Sequence, residues 1–307
     1  MKSEFFTEEL IKLDPFATKD SKKSALLMKA VIQELQFHYE NNDLYRRFCE
    51  NKSFDPFKFS GRLDELPAVS VSVFKELGQN LKSIADDQIK LSLKSSATSG
   101  VPSTVVLDKL TAKRQAKVMI KVLKDYLGSE RRPFIIIDVK PEPKNLHFLG
   151  ARYAAIGGYL NFAGKVHYSL EMKNDLAFFN SESTNSFISE LEQKEPVIVF
   201  GFTYMLYSQV VKPLLDSGAD FTLPPNSKVI HIGGWKKLEN EKISKEDFNN
   251  SMSSLFGIRP EDVIDIYGFT EQMGLNYPDC QCGFKHAPIY SEVIVRDPAT
   301  RQIVSKN

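Results

Sequence analysis

The chain has 307 residues, of which 42% are hydrophobic, so we expect a globular protein of one large domain or two smaller ones rather than a disordered one. Its 40 basic and 39 acidic residues give a formal charge of +1 without a basic block, so nucleic acid is not an expected partner. Three cysteines provide no disulfide framework. No secretory signal stands at the N-terminus, and no stretch approaches the roughly 18 uninterrupted apolar residues of a membrane span, so we expect a soluble cytoplasmic protein.

The first part of the chain is predicted to be mainly helical. Asp20 or Ser21 is a typical N-cap for a helix that ends near residue 40 and carries its apolar residues mostly on one face. We therefore expect a helical segment over 1–85 that packs on a main domain over 86–307.

Strands and helices alternate in the rest of the chain, which predicts an α/β fold with a largely parallel sheet flanked by helices. A further strand-like run covers 292–296, and Pro213 is expected to disturb the last turn of its helix. The predicted strands cover 89–93, 134–139, 196–200, 228–232 and 263–266, and the predicted helices cover 108–127, 204–215 and 244–256.

A loop rich in hydroxyl residues, Ser95–Ser103, lies between the first predicted strand and the helix over 108–127. Its small residues let backbone N–H groups approach an anion, and its Ser and Thr hydroxyls can donate hydrogen bonds as well. By itself the stretch is better explained as an ordinary polar loop. It becomes a candidate phosphate site because of two later clusters.

Each of these clusters follows a predicted strand. Gly233–Trp235 offers bare backbone beside a flat ring, against which a planar ligand can lie. In Tyr267–Glu271, the tyrosine offers a face for adenine, the threonine a hydroxyl for a phosphate and the glutamate a hard oxygen ligand for Mg²⁺. Because ligands collect at the carboxyl ends of strands in open α/β sheets, the three segments together predict a site for a nucleotide and its metal.

The order and spacing of these segments resemble the adenylate-forming superfamily of acyl and aryl ligases. They are most similar to the acyl-protein synthetase branch, the fatty-acid-activating component of the bacterial luciferase fatty acid reductase. The resemblance covers roughly residues 60 to 298, with Tyr267–Gln272 as its most specific motif. Phenylacetate–CoA ligases are similar in the same places. The resemblance implies an α/β fold like the large N-terminal part of adenylate-forming enzymes.

The resemblance also implies roles for individual residues. Thr98, Ser99 and Gly100 would wrap the β- and γ-phosphates of ATP. Thr270 and Glu271 would be the catalytic pair, with the hydroxyl on the α-phosphate and the carboxylate on Mg²⁺. Trp235 could wall the pocket, although a single tryptophan is as often structural. The residues assigned to nucleotide binding are Ser96, Thr98, Ser99, Gly100, Gly233, Gly234, Trp235, Tyr267, Gly268 and Thr270.

Two positions depart from the superfamily pattern. Ala97 stands where glycine is usual, and its Cβ would narrow the loop and be strained at a positive φ. Ser103 stands where the wider superfamily has lysine, although serine is usual in the acyl-protein synthetase branch. Charge on the leaving phosphates would then fall to Mg²⁺ and to basic groups such as Lys94, Lys140 and Arg152.

Family members continue beyond the point that corresponds to Asn307. They carry an aspartate for the ribose hydroxyls, a hinge and a small C-terminal domain with a catalytic lysine. Acyl-protein synthetases add a cysteine that accepts the acyl group. We therefore expect a chain that lacks this domain, adenylates weakly or not at all, and does not transfer the acyl group.

The weaker signals in the chain fit simpler structural roles. Cys280, Cys282 and His286 bring three soft ligands close together in the sequence, which fits a zinc site, but a reduced loop accounts for them better because Cys-x-Cys is short for a zinc finger. His231 is expected to be a solvated or satisfied histidine, and 236–245 a solvated surface. Three aromatic residues fit an acyl tunnel or core packing equally: Phe202, Tyr204 and Tyr207.

The leading functional hypothesis is ATP-dependent activation of a carboxylic acid, of the fatty type, to an acyl-adenylate for transfer to a protein thiol. Its partners would be the acid and an acyl-acceptor or reductase protein. One alternative is an acid–CoA ligase of the phenylacetate type. Another is a non-catalytic nucleotide-binding module, which Ala97 slightly favours and the intact Thr270 and Glu271 oppose.

Overall fold

The computed structural model describes residues 5–17, 20–95, 101–142, 152, 155–174, 176–191, 195–218 and 221–304, except the side chain at position 237. The chain forms two compact units. Unit 1 comprises Met1–Val122, Phe269–Leu275 and Ala287–Asn307, and unit 2 comprises Leu123–Gly268 and Asn276–His286. Residue 85 lies within unit 1, and the predicted domain boundary after it stays a prediction.

Unit 1 carries the helical first part of the chain. Its long helix starts where the sequence predicts, because the Asp20 carboxylate accepts a 2.9 Å hydrogen bond from the Lys23 backbone N–H. Arg114 bridges Glu8 and Glu34 at 2.9 and 3.0 Å, which ties the later helix to the first two. The helices are Phe6–Lys12, Ser21–Asn41, Asp43–Asn51, Val73–Glu76 and Lys109–Leu127, the last of which ends in unit 2.

The hydroxyl-rich loop belongs to a β-hairpin in unit 1. Strand β1 (Leu91–Lys94) pairs with antiparallel strand β2 (Thr104–Leu107), and the helix begins only after β2. The prediction of a loop running from a strand directly into a helix is therefore wrong. The sequence does not distinguish Thr104–Leu107 as a strand, because four β-prone residues next to a long helical pattern merge with that pattern.

Unit 2 is built on a seven-stranded sheet in the order β5-β4-β3-β6-β7-β8-β9. Neighbours from β4 across to β8 are parallel, and only β5 and β9 at the two edges are antiparallel. This confirms the α/β fold with a largely parallel sheet. The strands are β3 (Arg132–Val139), β4 (Ala163–Lys173), β5 (Leu176–Phe179), β6 (Ile198–Phe202), β7 (Lys228–Ile232), β8 (Val263–Tyr267) and β9 (Tyr277–Pro278).

The four central strands match the predicted apolar runs, since residues such as Phe134 and Val199 are covered on both faces of the sheet. Strands β4, β5 and β9 were not predicted. The predicted strand over 292–296 is wrong, because this stretch makes only an isolated bridge from Arg296 to Ile303. A β-prone run becomes a strand only where a partner lies beside it.

Helices flank the sheet. The predicted helix after β6 is interrupted by a π-helical stretch, Leu206–Val211, just before Pro213, which has no N–H to donate to the preceding turn. None of the helices in the described part of the chain is long and apolar enough to cross a membrane. The remaining helices of this unit are Ser181–Ser189, Thr203–Met205, Lys212–Ser217 and Lys245–Phe256.

The strand order reverses between β3 and β6. From β3 the chain moves outward to β4 and β5, and it then returns to place β6 on the other side of β3. The carboxyl ends of β3 and β6 therefore lie at a reversal of strand order, which is the position at which open α/β sheets bind ligands.

Candidate functional site

The glycine pair after β7 forms an open turn. Gly233 and Gly234 have φ values of +84° and +64°, which only glycine adopts without strain. An added Cβ on Gly233 would lie 3.1 Å from the Phe202 ring, whereas one on Gly234 would meet no atom within 4 Å. The backbone at Gly234 is thus open to a flat ligand, and its predicted place beside an adenine stays a prediction.

Trp235 is partly buried and packs against the hydrophobic core of unit 2. Its ring contacts Tyr207 edge-on at 4.9 Å and Phe248 at 5.9 Å between centroids. Core packing therefore accounts for Tyr207. A nucleotide-binding role for Trp235 stays a prediction.

Lys236 departs from the predicted solvated surface over 236–245. Its Nζ lies 4.9 Å from the centroid of Phe202 and 5.1 Å from that of Tyr204, and the residue is half-buried. Burial and the nearby Arg152 guanidinium lower the pKa of the Lys236 ammonium. The surface prediction is therefore wrong at this position, although Glu239 to Glu241 are exposed. The charged residues around Lys236 in the sequence hide its burial. Its place two residues after the glycine pair that follows β7 is the sequence feature that indicates a site residue.

A buried ion pair lies at the end of β3. Asp138 is 2% exposed and accepts a hydrogen bond from Nη2 of Arg152 at 3.0 Å, and Nε of Arg152 lies 2.9 Å from its other carboxylate oxygen. The Val139 backbone N–H donates to the same carboxylate at 2.8 Å. Burial raises the pKa of Asp138, and Arg152 opposes that rise. We call Asp138, Arg152 and Lys236 the cation cluster, because it holds two cations and one carboxylate.

Tyr267 ends β8 and leaves its ring accessible. The residue is 55% exposed, and its ring lies 6.2 Å from that of Tyr277 on β9. Gly268 is exposed as well. An exposed aromatic face at the carboxyl end of a central strand suits the predicted stacking on adenine, which stays a prediction.

Thr270 and Glu271 belong to unit 1, where they lie in the 3₁₀ turn Thr270–Gln272 and are half-buried. This turn contacts strand β2, which leads out of the hydroxyl-rich loop. Gly274 (φ +93°) anchors the turn on the Lys109–Leu127 helix, since an added Cβ would lie 2.7 Å from the Cα of Gln115. The fold of unit 1 therefore brings the Thr-Glu turn and one arm of the hairpin together.

The tip of the hairpin lies outside the described residues, and with it the predicted phosphate ligands Ser96, Thr98, Ser99 and Gly100. Its base is closed by two hydrogen bonds. The Ser95 N–H donates to the Ser103 carbonyl at 3.0 Å, and the Ser103 N–H donates to the Ser95 hydroxyl at 2.8 Å. Ser103 is fully buried, and its backbone makes both of these hydrogen bonds at the base of the hairpin.

Cys280, Cys282 and His286 lie close together in the sequence. Among the described residues, no three His, Cys, Asp or Glu side chains are grouped so that they could hold a metal ion, and the zinc interpretation stays a prediction. Cys280 lies in a tight turn, where its N–H donates to the Phe284 carbonyl at 2.8 Å. Backbone N–H groups, first that of Phe284, and the His286 side chain lower the pKa of the Cys280 thiol to about 7.

A second group of charges surrounds the buried His231. Asp279 binds Lys245 at 2.7 Å and Lys285 at 3.0 Å, and Lys285 also binds Asp265 at 2.9 Å. We call these four residues the paired cluster, because two lysines meet two aspartates.

His231 itself is neutral at physiological pH. Its Nδ1 lies 2.9 Å from the Thr203 hydroxyl and 3.6 Å from Asp265. Burial lowers its pKa to about 4 although Asp265 opposes the shift. The prediction of a solvated or satisfied histidine holds only for Nδ1, because the buried Nε2 has no hydrogen-bond partner among the described residues.

A cleft of about 490 Å³ lies in unit 2 but includes none of the predicted site residues. It is lined by His167, Asn180, Glu182, Ser183, Ser186, Phe187 and Glu190.

Comparisons with known proteins agree with this architecture. The chain is 24% identical over 247 residues to the long-chain-fatty-acid–luciferin-component ligase of Vibrio harveyi, covering 77% of this chain and 60% of the relative. It is 23% identical over 283 residues to the ligase of the same name from Aliivibrio fischeri, covering 90% and 71%. The crystal structure of 2-hydroxyisobutyryl-CoA ligase in complex with 2-HIB-AMP and CoA shares the fold, with a TM-score of 0.61 and 13% identity.

That structural match covers 94% of this chain but 58% of the CoA ligase chain. It thus spans between about half and three quarters of the lengths of these three proteins. The family model described as acyl-protein synthetase, LuxE, matches residues 2–307. The chain therefore belongs to the acyl-protein synthetase (LuxE) family.

Proposed function

We propose that this protein activates a fatty carboxylic acid with ATP, forms an acyl-adenylate and passes the acyl group to a protein thiol. The observation that carries the proposal is the Thr270–Gln272 turn, which lies against the strand that leads out of the hydroxyl-rich loop. Membership of the acyl-protein synthetase family and the names of the two ligase relatives support the choice of a fatty acid.

In the first step, a carboxylate oxygen of the acid attacks the α-phosphorus of ATP. A P–O bond forms, the bond between the α-phosphorus and the bridging oxygen breaks, and pyrophosphate leaves with its electron pair. Such a reaction needs positioning and neutralisation of charge more than covalent chemistry by the protein. The Thr270 hydroxyl would donate to the α-phosphate, and Tyr267 would stack on the adenine.

The chemistry of Glu271 fits a magnesium ligand. A carboxylate is a hard oxygen donor, and Mg²⁺ on a nucleotide usually takes only one or two protein carboxylates besides phosphates and water. When bound, the ion would neutralise the charge of the leaving pyrophosphate. The half-buried Glu271 and Thr270 lie on one short turn, so they would address the same end of the nucleotide.

In the second step, a thiolate attacks the acyl carbonyl carbon, a thioester forms and AMP leaves. A cysteine of an acyl-acceptor or reductase protein would supply the thiol. The rival acceptor is CoA, since the structural neighbour is a CoA ligase; at 13% identity that likeness supports the fold alone.

The test compares the wild-type protein with Thr270→Val, Glu271→Gln and the control Glu246→Gln, whose side chain is exposed. Binding of ATP with and without Mg²⁺ is measured by calorimetry, and release of pyrophosphate is measured with decanoate. We expect magnesium to strengthen ATP binding in the wild-type and control proteins. In Thr270→Val, magnesium should strengthen ATP binding only slightly less than it does in those two proteins. Glu271→Gln should lose that magnesium dependence and release pyrophosphate roughly 100-fold more slowly.

Two outcomes would contradict the proposal. One is a wild-type protein that binds no ATP at millimolar concentrations. The other is a Glu271→Gln variant with unchanged magnesium dependence. Thioester formation on CoA rather than on a protein cysteine would overturn the second step alone.

A further inference from the structure

The cation cluster lies at the point where the strand order of the sheet reverses. Asp138 is the penultimate residue of β3, Phe202 ends β6, and Lys236 follows β7 after the open glycine pair. These are the carboxyl ends of three neighbouring strands, where open α/β sheets bind their ligands. The position is therefore one at which a ligand site is expected.

The charges of the cluster do not balance. Arg152 is committed to Asp138 through two contacts of 3.0 and 2.9 Å. Among the residues that the structure describes, no carboxylate pairs with the ammonium of Lys236, which instead rests over the rings of Phe202 and Tyr204. The partly buried cluster therefore holds one cation more than it holds carboxylates, and an unmatched charge in such a place is costly.

Lys236 has a strained backbone conformation. Its φ of +49° lies in the left-handed region, which a side chain with a Cβ seldom adopts and which costs about 1 kcal/mol. This conformation lets Lys236 turn back over the glycine pair, so that its Cε lies 3.6 Å from where a Cβ of Gly233 would be. Strain that puts a cation beside exposed backbone is typical of a functional position.

We propose that Lys236, supported by Arg152, binds the carboxylate of the acid substrate. The aromatic rings beneath the ammonium belong to or pack on the main apolar core of unit 2, so the site combines a cation with an apolar wall. That combination suits a carboxylate on a hydrocarbon chain better than a fully polar phosphate group. The proposal rests on the proposed function and names the group that holds its acid.

The experiment uses Trp235, which is the single tryptophan of the chain and lies next to Lys236. Decanoate, the neutral decanol and pyrophosphate are titrated separately against the protein while its fluorescence is followed, and calorimetry checks each affinity. The variants are Lys236→Met, Lys236→Arg and the control Lys242→Met, whose ammonium makes an exposed pair with Glu239.

We expect Lys236→Met to bind decanoate about 10- to 100-fold more weakly, because a charge-assisted hydrogen bond is lost. Lys236→Arg should recover most of the affinity, and decanol and pyrophosphate should bind each variant as they bind the wild-type protein. Lys242→Met should leave all three affinities unchanged.

Three results would overturn the proposal: unchanged decanoate affinity in Lys236→Met, an equal loss for decanol, or an equal loss for pyrophosphate. Failure of the proposed function is recognised separately. In that case the wild-type protein would bind no ATP at millimolar concentrations, while Lys236→Met would still bind decanoate more weakly than the wild-type protein.

Discussion

The two charged clusters of unit 2 differ in how their charges are matched. In the paired cluster, Asp279 meets two lysines, and Lys285 meets a second aspartate. In the cation cluster, Arg152 takes the one carboxylate and Lys236 is left over two aromatic rings. Charges that serve stability are matched within the protein, whereas an unmatched cation at a strand end is available to a ligand. Stability measurements can therefore separate the two clusters.

The largest expected effect is the pH dependence of the free energy of unfolding that comes from His231, which the paired cluster surrounds. Its pKa is about 4 in the folded protein and 6.5 when unperturbed, so the unfolded chain binds more protons between these pH values. The free energy of unfolding therefore falls as the pH drops through this range, and the contribution is complete above pH 6.5. Between pH 7 and pH 4, urea titrations should show a loss about 3 kcal/mol larger for the wild-type protein than for His231→Gln. Equal losses would mean that burial in the folded protein does not lower the pKa of His231.

Removal of the central carboxylate should come next. Asp279→Ala leaves Lys245 and Lys285 without their shared partner. Breaking a fully buried pair costs about 3–5 kcal/mol, but these lysines are partly exposed, so we expect the free energy of unfolding to fall by about 2 kcal/mol. Asp216→Ala, at an exposed position, should change it by less than about 0.5 kcal/mol. A similar value for both variants would show that the paired cluster does not stabilise the fold.

The glycine pair beneath the cation cluster offers a matched comparison. Gly233→Ala and Gly234→Ala both place a Cβ on a left-handed residue, which costs about 1 kcal/mol. Only the Cβ at Gly233 also approaches the Phe202 ring at 3.1 Å. Urea unfolding should show a loss of about 2 kcal/mol for Gly233→Ala and about 1 kcal/mol for Gly234→Ala. A larger loss at Gly234 would contradict the open turn.

The smallest effect is expected at the cation cluster itself. Lys236→Met loses a cation–π contact worth about 0.5–1 kcal/mol, and it also removes an unmatched, half-buried charge. The two effects oppose each other, so the free energy of unfolding should change by less than about 1 kcal/mol. A loss of 2 kcal/mol or more in urea would assign Lys236 to the stability of the fold and remove the contrast between the clusters.

Much of the fold could be predicted because continuous apolar runs in the sequence indicate strands that are buried on both faces. Phe134–Ile137 and Val197–Phe200 read as strands covered on both faces, and the sheet buries them there. The edge strands β5 and β9 could not be predicted in the same way. They are short and lie at the borders of the sheet, and their pairing depends on which chain segment lies beside them.

The candidate site divides in a similar manner. Tyr267 and Gly233 were found because each directly follows or ends an apolar strand, and the carboxyl ends of such strands are where α/β sheets bind ligands. Lys236 was missed because a lysine among charged residues looks like surface, and only the packing of Phe202 and Tyr204 reveals that its ammonium is sheltered.

By itself, the sequence determined the central parallel strands, the glycine turn after β7 and the family, because each depends on local residue types in a fixed order. The tertiary structure decided that the hydroxyl-rich loop belongs to a hairpin, that the Thr270–Gln272 turn contacts its second strand, and that one lysine stays unmatched among the described residues. These features depend on contacts between segments far apart in the chain. Residue types constrain such contacts but do not choose among them.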